Sequence, residues 1–428
     1  MYNAAFTSLE LGDYKTAIIQ SAAFEKAYSD SDFLVDMLEI KADALMLDQR
    51  PELAIKVFDE LIERFSEDES VEQRIEKVTR WNLEAARSLY IQNKYQSTID
   101  RLQTLLDSPN AATLNPDIRA EALHWVGSSQ YQLKDFATAT KSLTSSAQVS
   151  DKWGRADQTL LTLCEAQMEN QQIAEGKQTA SAMITKFPNS SLLGDLYYRL
   201  GRQAYKTRDF EEAIKNFQQI NRNYPNSRFA PYALYDAAWS QMELKRFDES
   251  EKLFAQLMSK FPEHELAIKS KIGRGSSLRQ TGDAQASIAE LKEFLATGNP
   301  SEQSRANALL EIGLNQGELM KWDDTIGTFK QLISEFPNSP KLDRYYYELA
   351  WAHNSKSEKE KGLEYFAKLT TEKPDSPLAG ESNFHVGFSA YDAGKFDEAI
   401  KSFQTCLDSK APEPVSYTHL TLPTKRIV

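Results

Sequence analysis

Histidine, cysteine and paired carboxylates are the side chains that would hold a metal or move a proton. In this chain their spacing does not assemble such a site. His124, His264, His353 and His385 stand far apart, and there is no HExxH and no CxxC, so the usual zinc spacings are missing. Gly273-Arg274-Gly275 has neither the third glycine nor the following Gly-Lys-Ser/Thr of a phosphate loop. No Gly-x-Ser-x-Gly elbow presents a nucleophilic serine. Cys164 and Cys406 lie 242 residues apart and report no redox compartment. Acidic residues abound, but nothing forces two into a shielded cleft, as acid–base work requires. The reading is a non-enzyme without cofactor or metal.

Large aromatics and arginines are the side chains left to act, and their work would be binding. What positions them is a repeat. A bulky residue or helix opener recurs at Tyr14, Pro51, Tyr95, Phe136, Ile173, Phe210, Phe247, Ala284, Trp322, Lys359 and Phe396, with steps of 37, 44, 41, 37, 37, 37, 37, 38, 37 and 37 residues. A fixed period of this size means stacked hairpins rather than one central core. In the hairpin from Asp195 to Pro225, Leu196, Leu200 and Ala204 precede the marker Phe210, and Ala213, Ile214, Phe217 and Ile220 follow it. That is helical spacing on both sides of a turn.

Two positions are small in every repeat. Nine residues before the marker stand Ala5, Ala42, Ala86, Gly127, Cys164, Gly201, Ala238, Gly275, Gly313, Ala350 and Gly387. Three after it stand Ala17, Ala54, Thr98, Ala139, Gly176, Ala213, Ser250, Ser287, Thr325, Gly362 and Ala399. Glycine inside a helix costs about 1 kcal/mol against alanine, so these sites require close approach of two helices. Seven residues after the marker the side chain is mostly large, as at Phe58, Phe217, Phe254, Phe329 and Phe366. The expectation is small against small within a hairpin, with the large residue filling the gap to the next repeat.

The pattern Leu200-Gly201…Tyr205…Asp209-Phe210…Ala213…Phe217…Pro225 resembles the tetratricopeptide repeat (TPR) family. The resemblance covers nearly all of residues 2–411. The junctions Phe187-Pro188-Asn189-Ser190, Tyr224-Pro225-Asn226-Ser227, Phe261-Pro262-Glu263-His264 and Phe336-Pro337-Asn338-Ser339 are similar to bacterial cell-envelope members of the BamD and YbgF (CpoB) types. The resemblance implies an all-α TPR-type α-solenoid, a right-handed superhelix of about eleven hairpins, in which first helices line a concave groove. The family's inward positions lie five, eight, twelve and fifteen residues before the marker. Carried onto this chain they give the candidate protein-binding residues Tyr198, Arg202, Tyr205, Tyr232, Tyr235, Trp239, Tyr347, Trp351, Phe384, Phe388 and Tyr391. Met242, Arg279 and Arg344 occupy equivalent positions. Aromatics and arginine are the usual anchors of interfaces.

The expected organisation is a continuous array over residues 1–411, irregular in 1–172 and regular in 173–411. Ser66 to Arg80 and Ser108 to Asp117 read as longer loops where the period stretches. Met1 falls inside a first helix, so the array is expected to be truncated there, with any export signal or lipid anchor upstream. Residues 412–428 read as a non-native tail. From about Val415 the string VSYTHLTLPT breaks the repeat, and one back-translation of it resembles a sequencing-library adapter. The net charge of −12 and the lack of a Lys/Arg stripe argue against nucleic acid. No run of 18 apolar residues is present to span a membrane. The functional expectation is a non-catalytic scaffold for partner proteins or peptide segments, periplasmic or outer-membrane-associated. The alternatives are a cytoplasmic TPR adaptor and a TPR segment of a larger enzyme or sensor.

Overall fold

The computed structural model describes residues 1–408 except 72, 109, 110, 298 and 299. The proposed non-native tail and the end of the array at 411 lie outside the described residues. Among these residues the regular elements are 22 α-helices and one short 3-10 turn, with no strand. The protein is an all-α TPR solenoid.

Two compact parts divide the chain, 1–200 and 201–428. In the first, the helices pair as Tyr2–Glu10 with Tyr14–Ala27, Leu34–Leu47 with Pro51–Phe65, Arg74–Ile91 with Tyr95–Leu106, Pro116–Gln132 with Phe136–Val149, and Ala156–Glu169 with Ile173–Lys186. Leu193–Lys206 crosses the division. In the second part follow Phe210–Asn223, then Ala230–Glu243 with Phe247–Lys260, Glu265–Gln280 with Ala284–Thr297, Glu302–Glu318 with Trp322–Glu335, Leu342–Ser355 with Lys359–Glu372, and Ala379–Asp392 with Phe396–Asp408. All eleven markers are the first residue of a second helix.

The turn inside each hairpin is the same piece of backbone. The residue two before the marker has positive φ in all eleven, from Gly12 at 78° to Gly394 at 74°, and only Gly12, Gly282 and Gly394 are glycines. The next N–H reaches back five residues to a carbonyl of the first helix, as in Asp209 to Ala204 and Lys321 to Gln316, both 2.9 Å. This is a Schellman closure, which satisfies the carbonyls a helix end leaves orphaned. The residue before the marker then caps the second helix where it is aspartate: Asp13, Asp135, Asp209 and Asp283 accept from the N–H three residues on.

The junction between hairpins has its own device. Ser190, Ser227, Ser339 and Ser376 each accept an N–H two residues on with Oγ, at 3.1–3.2 Å. Ser376 also donates to Asp343 at the start of the preceding first helix, at 2.6 Å, and Ser190 does the same to Asp157. The Pro-x-Ser string is thus a turn that starts one helix and ties it to the last. The two stretched repeats differ from expectation. Arg74–Ile91 has 18 residues, so residues 74–80 are helix rather than loop, and the second stretch holds the 3-10 turn Ala111–Thr113 before a helix starting at Pro116.

All twenty-two small positions are buried. Their partners refine the expected packing. The small residue after the marker meets the backbone of the small residue before it: Ser287 Oγ donates to the Gly275 carbonyl at 2.7 Å, and Thr98 Oγ1 to that of Ala86 at 3.4 Å. A methyl group on Gly362 would stand 2.9 Å from the Ala350 carbonyl. The large residue faces its own hairpin as well as the next. A Cβ on Gly201 would lie 2.5 Å from Phe217, and one on Gly313 2.8 Å from Phe329, in the same hairpin. One on Gly273 would lie 2.3 Å from Phe254 of the preceding hairpin. The large ring is therefore a wedge shared by three helices.

Gly201→Leu should destabilise the protein by roughly 1–3 kcal/mol through overpacking, measured as a lower urea midpoint. Gly201→Ala should stay close to neutral. Ala238 and Ala350 occupy the same position in hairpins carrying Phe254 and Phe366, and alanine's helix preference of about 1 kcal/mol offsets the shift of the ring.

Candidate polypeptide-binding face

His264, His385, His353, His124 and Cys164 each have a structural task. His264 Nδ1 accepts the Leu266 N–H at 3.1 Å, taking the role serine has at other junctions. His385 stacks on Phe366 at 4.6 Å. His353 is buried with Nδ1 2.7 Å from Glu358 Oε2. The bonds this carboxylate accepts from His353, Lys361 and Lys356 hold it down at about 2. His124 is fully buried, with Thr159 Oγ1 at 3.1 Å and Ser128 Oγ at 3.4 Å from its two nitrogens. Trp125 and Trp153 pack on the ring at 5.1 and 5.0 Å. Burial, with Arg155 nearby, pushes its pKa down to about 3. Cys164 is buried in a small-residue slot that raises its thiol to about 12, so it is no nucleophile near neutrality. Among the described residues no group of three or more His, Cys, Asp or Glu could hold a metal ion.

The candidate binding residues fall on the first helices, and the structure separates them by depth. In the second part, Tyr232 is exposed and Tyr235 and Trp239 are half-buried, all on Ala230–Glu243. Tyr235 and Trp239 both stand edge-on to Phe254, at 5.9 and 5.6 Å. Three hairpins on, Tyr347 and Trp351 repeat the arrangement over Phe366, at 5.9 and 6.1 Å. The wedge ring of the hairpin thus forms the floor under a tyrosine and a tryptophan.

Tyr347 departs from expectation. It is 1 % exposed, so it is core under Trp351 rather than lining. Burial beside Glu381 holds its hydroxyl protonated. Trp351 remains half-buried, its outer edge against His385 at 5.1 Å. Phe384, Phe388 and Tyr391 are exposed on Ala379–Asp392. Arg202 is exposed and pairs with Asp236 at 3.2 Å; Tyr205 on the same helix is half-buried. Tyr198 is half-buried and lies on the same helix, Leu193–Lys206, as Arg202 and Tyr205.

Arginine at these positions is committed to the protein itself. Arg279 is 9 % exposed and bridges Glu311 at 3.0 Å and Glu318 at 2.9 Å on the next first helix. Arg344 lies 3.6 Å from Glu348. Sequence reasoning missed these carboxylates. Glu311 and Glu348 stand eleven before their markers and Glu318 four before, off the inward positions by one residue.

Eleven hairpins with two buried small positions, a shared Schellman turn and aromatics along the first helices define a tetratricopeptide-repeat protein. Within that class part of the chain is similar to BamD-type proteins. Residues 193–340 match the YfiO family, described as an outer membrane lipoprotein. The outer membrane protein assembly factor BamD of Pasteurella multocida is 25% identical over 189 residues, which cover 40% of this chain and 70% of that protein. The C-terminal part of a TPR repeat-containing protein from Cytophaga hutchinsonii superposes with a TM-score of 0.50 at 16% identity, covering 61% of this chain and 98% of that one; this likeness concerns the fold. Among the described residues no helix is long and apolar enough to cross a membrane.

The buried neutral His124 sets a pH dependence. Its folded pKa of about 3 lies below the unfolded value of about 6.5, so the unfolded chain binds the proton first. Its contribution is complete above pH 6.5 and is lost as pH falls toward 3. Unfolding free energy should drop by about 2 kcal/mol between pH 7 and pH 5 from this group. His124→Leu, the residue found at the equivalent Leu83 and Leu161, should remove that slope in urea titrations followed by tryptophan fluorescence.

Proposed function

We propose that this chain is a non-catalytic scaffold of the bacterial envelope that holds partner polypeptides along its first helices during outer-membrane protein assembly. The observation that carries it is the half-buried and exposed aromatic row of the second part, Tyr232, Tyr235, Trp239, Trp351, Phe384 and Phe388. Large rings of two χ angles lose little entropy on binding and supply most interface energy. The match to the YfiO family over 193–340 and the similarity to an outer membrane protein assembly factor support the process and the compartment. The family geometry supports a concave groove as the place of binding, with Arg202 and Tyr205 at its start and Tyr391 as a further member. The partner is protein rather than nucleic acid: the chain carries a net charge of −12, and the arginines Arg202, Arg279 and Arg344 already face carboxylates.

A photocrosslinking amino acid placed at Tyr232 tests this in envelope-fractionated cells, against the same group at Lys215, exposed on the second helix Phe210–Asn223. Adducts from Tyr232 in the membrane fraction, containing outer-membrane proteins or their assembly partners, are the expected result. Adducts from Lys215 alone, or a protein confined to the cytosol, would overturn the reading.

A further inference from the structure

Charge is spread unevenly along this chain, and the excess falls on its first two hairpins. Residues 1–73 hold 17 Asp and Glu against six Lys and Arg, a net −11 of the chain's −12. These hairpins lie outside residues 193–340, which match the YfiO family. We propose that the junction edge of residues 28–36 and 65–71 docks a lysine- or arginine-bearing segment of a partner protein, with an apolar side chain of that segment against Phe33 and Tyr28. This docking does not depend on the aromatic row of the second part.

The apolar half of this surface is one that other junctions keep covered. Ser31 Oγ accepts the Phe33 N–H at 3.2 Å, the same serine turn that starts later helices. Phe33 stands just before the helix Leu34–Leu47, as Phe229 and Leu378 do before theirs. Leu378 is 5 % exposed and Phe229 is half-buried, whereas Phe33 is 54 % exposed, with the Tyr2 ring 5.7 Å away. Tyr28 ends the preceding second helix and packs on Phe24 at 5.1 Å. It is exposed, whereas Tyr224 and Phe261 at the same place are half-buried and Phe336 is buried. Two large rings on one short junction are thus left to solvent, the mark of an interaction patch rather than of a covered core.

The chain between the two rings carries the charged half. With residues 65–71 it borders a cavity of about 560 Å³. Buried Leu34 and Val35 and half-buried Phe65 and Val71 give the cavity apolar walls. Asp30, Asp32, Asp36 and Asp68 add carboxylates to the same lining. Lys77 reaches Asp36 at 3.0 Å and Glu39 at 3.6 Å. Among the described residues no Lys or Arg stands within ion-pair distance of Asp30, Asp32 or Asp68. Asp68 accepts the Ser70 hydroxyl at 2.7 Å and its N–H at 2.9 Å, bonds that hold its carboxyl below the usual range and therefore charged. In the chain on either side, Arg64 is engaged with Glu60 and Arg74 with Glu67, and Lys26 is exposed before Tyr28. A long cationic side chain suits both features, its alkyl stem on the apolar walls and its head at the carboxylates. An acidic segment would meet like charge there.

The test uses the full chain and fluorescein-labelled Ser/Gly peptides carrying one phenylalanine and two lysines, the phenylalanine with two glutamates, or the two lysines alone. Anisotropy titrations should show the Phe/Lys peptide binding at least about 30-fold more tightly than the Phe/Glu peptide. It should bind about 10-fold more tightly than the peptide without phenylalanine. Its binding should weaken as NaCl rises from about 0.05 to about 0.5 M, because salt screens exposed charges. Asp30→Asn with Asp32→Asn should weaken it by at least about 5-fold, and Phe33→Ser by about 10-fold, each with unchanged circular dichroism. Glu10→Gln with Glu52→Gln removes the same charge at the turn ends of these hairpins and should leave binding within about 2-fold. The peptide series is read on the unaltered protein, so a variant that fails to fold does not decide the outcome. An equal loss from both charge pairs means diffuse attraction without a site and overturns this inference. Equal binding of the lysine and glutamate peptides, or no binding by any, overturns it as well. None of these outcomes touches the aromatic row, which the crosslink from Tyr232 tests separately.

Discussion

The whole molecule depends on one close approach. The small residue after the turn rests against the backbone of the small residue before it, as Gly362 does against Ala350, and at Ser287 and Thr98 a hydroxyl bonds the facing carbonyl of Gly275 and Ala86. That contact sets the distance between the two helices. The wedge at Phe217, Phe254, Phe329 or Phe366 then fills what the small residues leave open, and each of these rings is 0 % exposed. Enlarging one partner displaces the other, because a close-packed interior has no spare volume. Repetition follows from the same contact. A hairpin with a fixed angle and a ring on its next-facing side accepts only a similar hairpin, as Phe254 accepts Gly273.

Much of this was legible in the chain. The markers opened every second helix, and the two small columns were buried throughout, because periodicity in an array averages over repeats what one sequence window leaves ambiguous. The Schellman turn was not legible. Its positive-φ residue is Gln49, Asn93, Lys134, Gln171, Arg208, Lys245, Met320 or Ser357 in eight of eleven hairpins, so the glycine signal for a left-handed residue was mostly missing. The backbone bonds and the repeated packing hold a conformation that these side chains do not favour.

The depth of the candidate residues was not legible. Tyr235 and Tyr347 hold the same position before their markers, yet one is half-buried and the other is core. The difference lies in the following hairpin. Residue 347 is covered where Glu381 approaches, and such cover is not encoded in the hairpin that carries the tyrosine. The arginines misled for a related reason. Arginine at an inward position reads as an interface anchor, but Arg279 spends both ends on Glu311 and Glu318 one hairpin away, a partnership visible only once successive first helices are in contact.

Those internal pairs shape what the surface can recognise. A buried arginine held by two carboxylates is costly to break, because removing either side leaves an uncompensated charge. Arg274 makes a similar bridge, to Glu251 and Glu290 at 2.7 Å each, so charge in this region serves to fix one hairpin against the next. Among the candidate rings Trp239 and Trp351 are half-buried above their wedges, and Tyr232 is exposed. A ring seated on the same phenylalanine that spaces the helices cannot shift without disturbing the repeat, so the scaffold and the anchors share one rigid element.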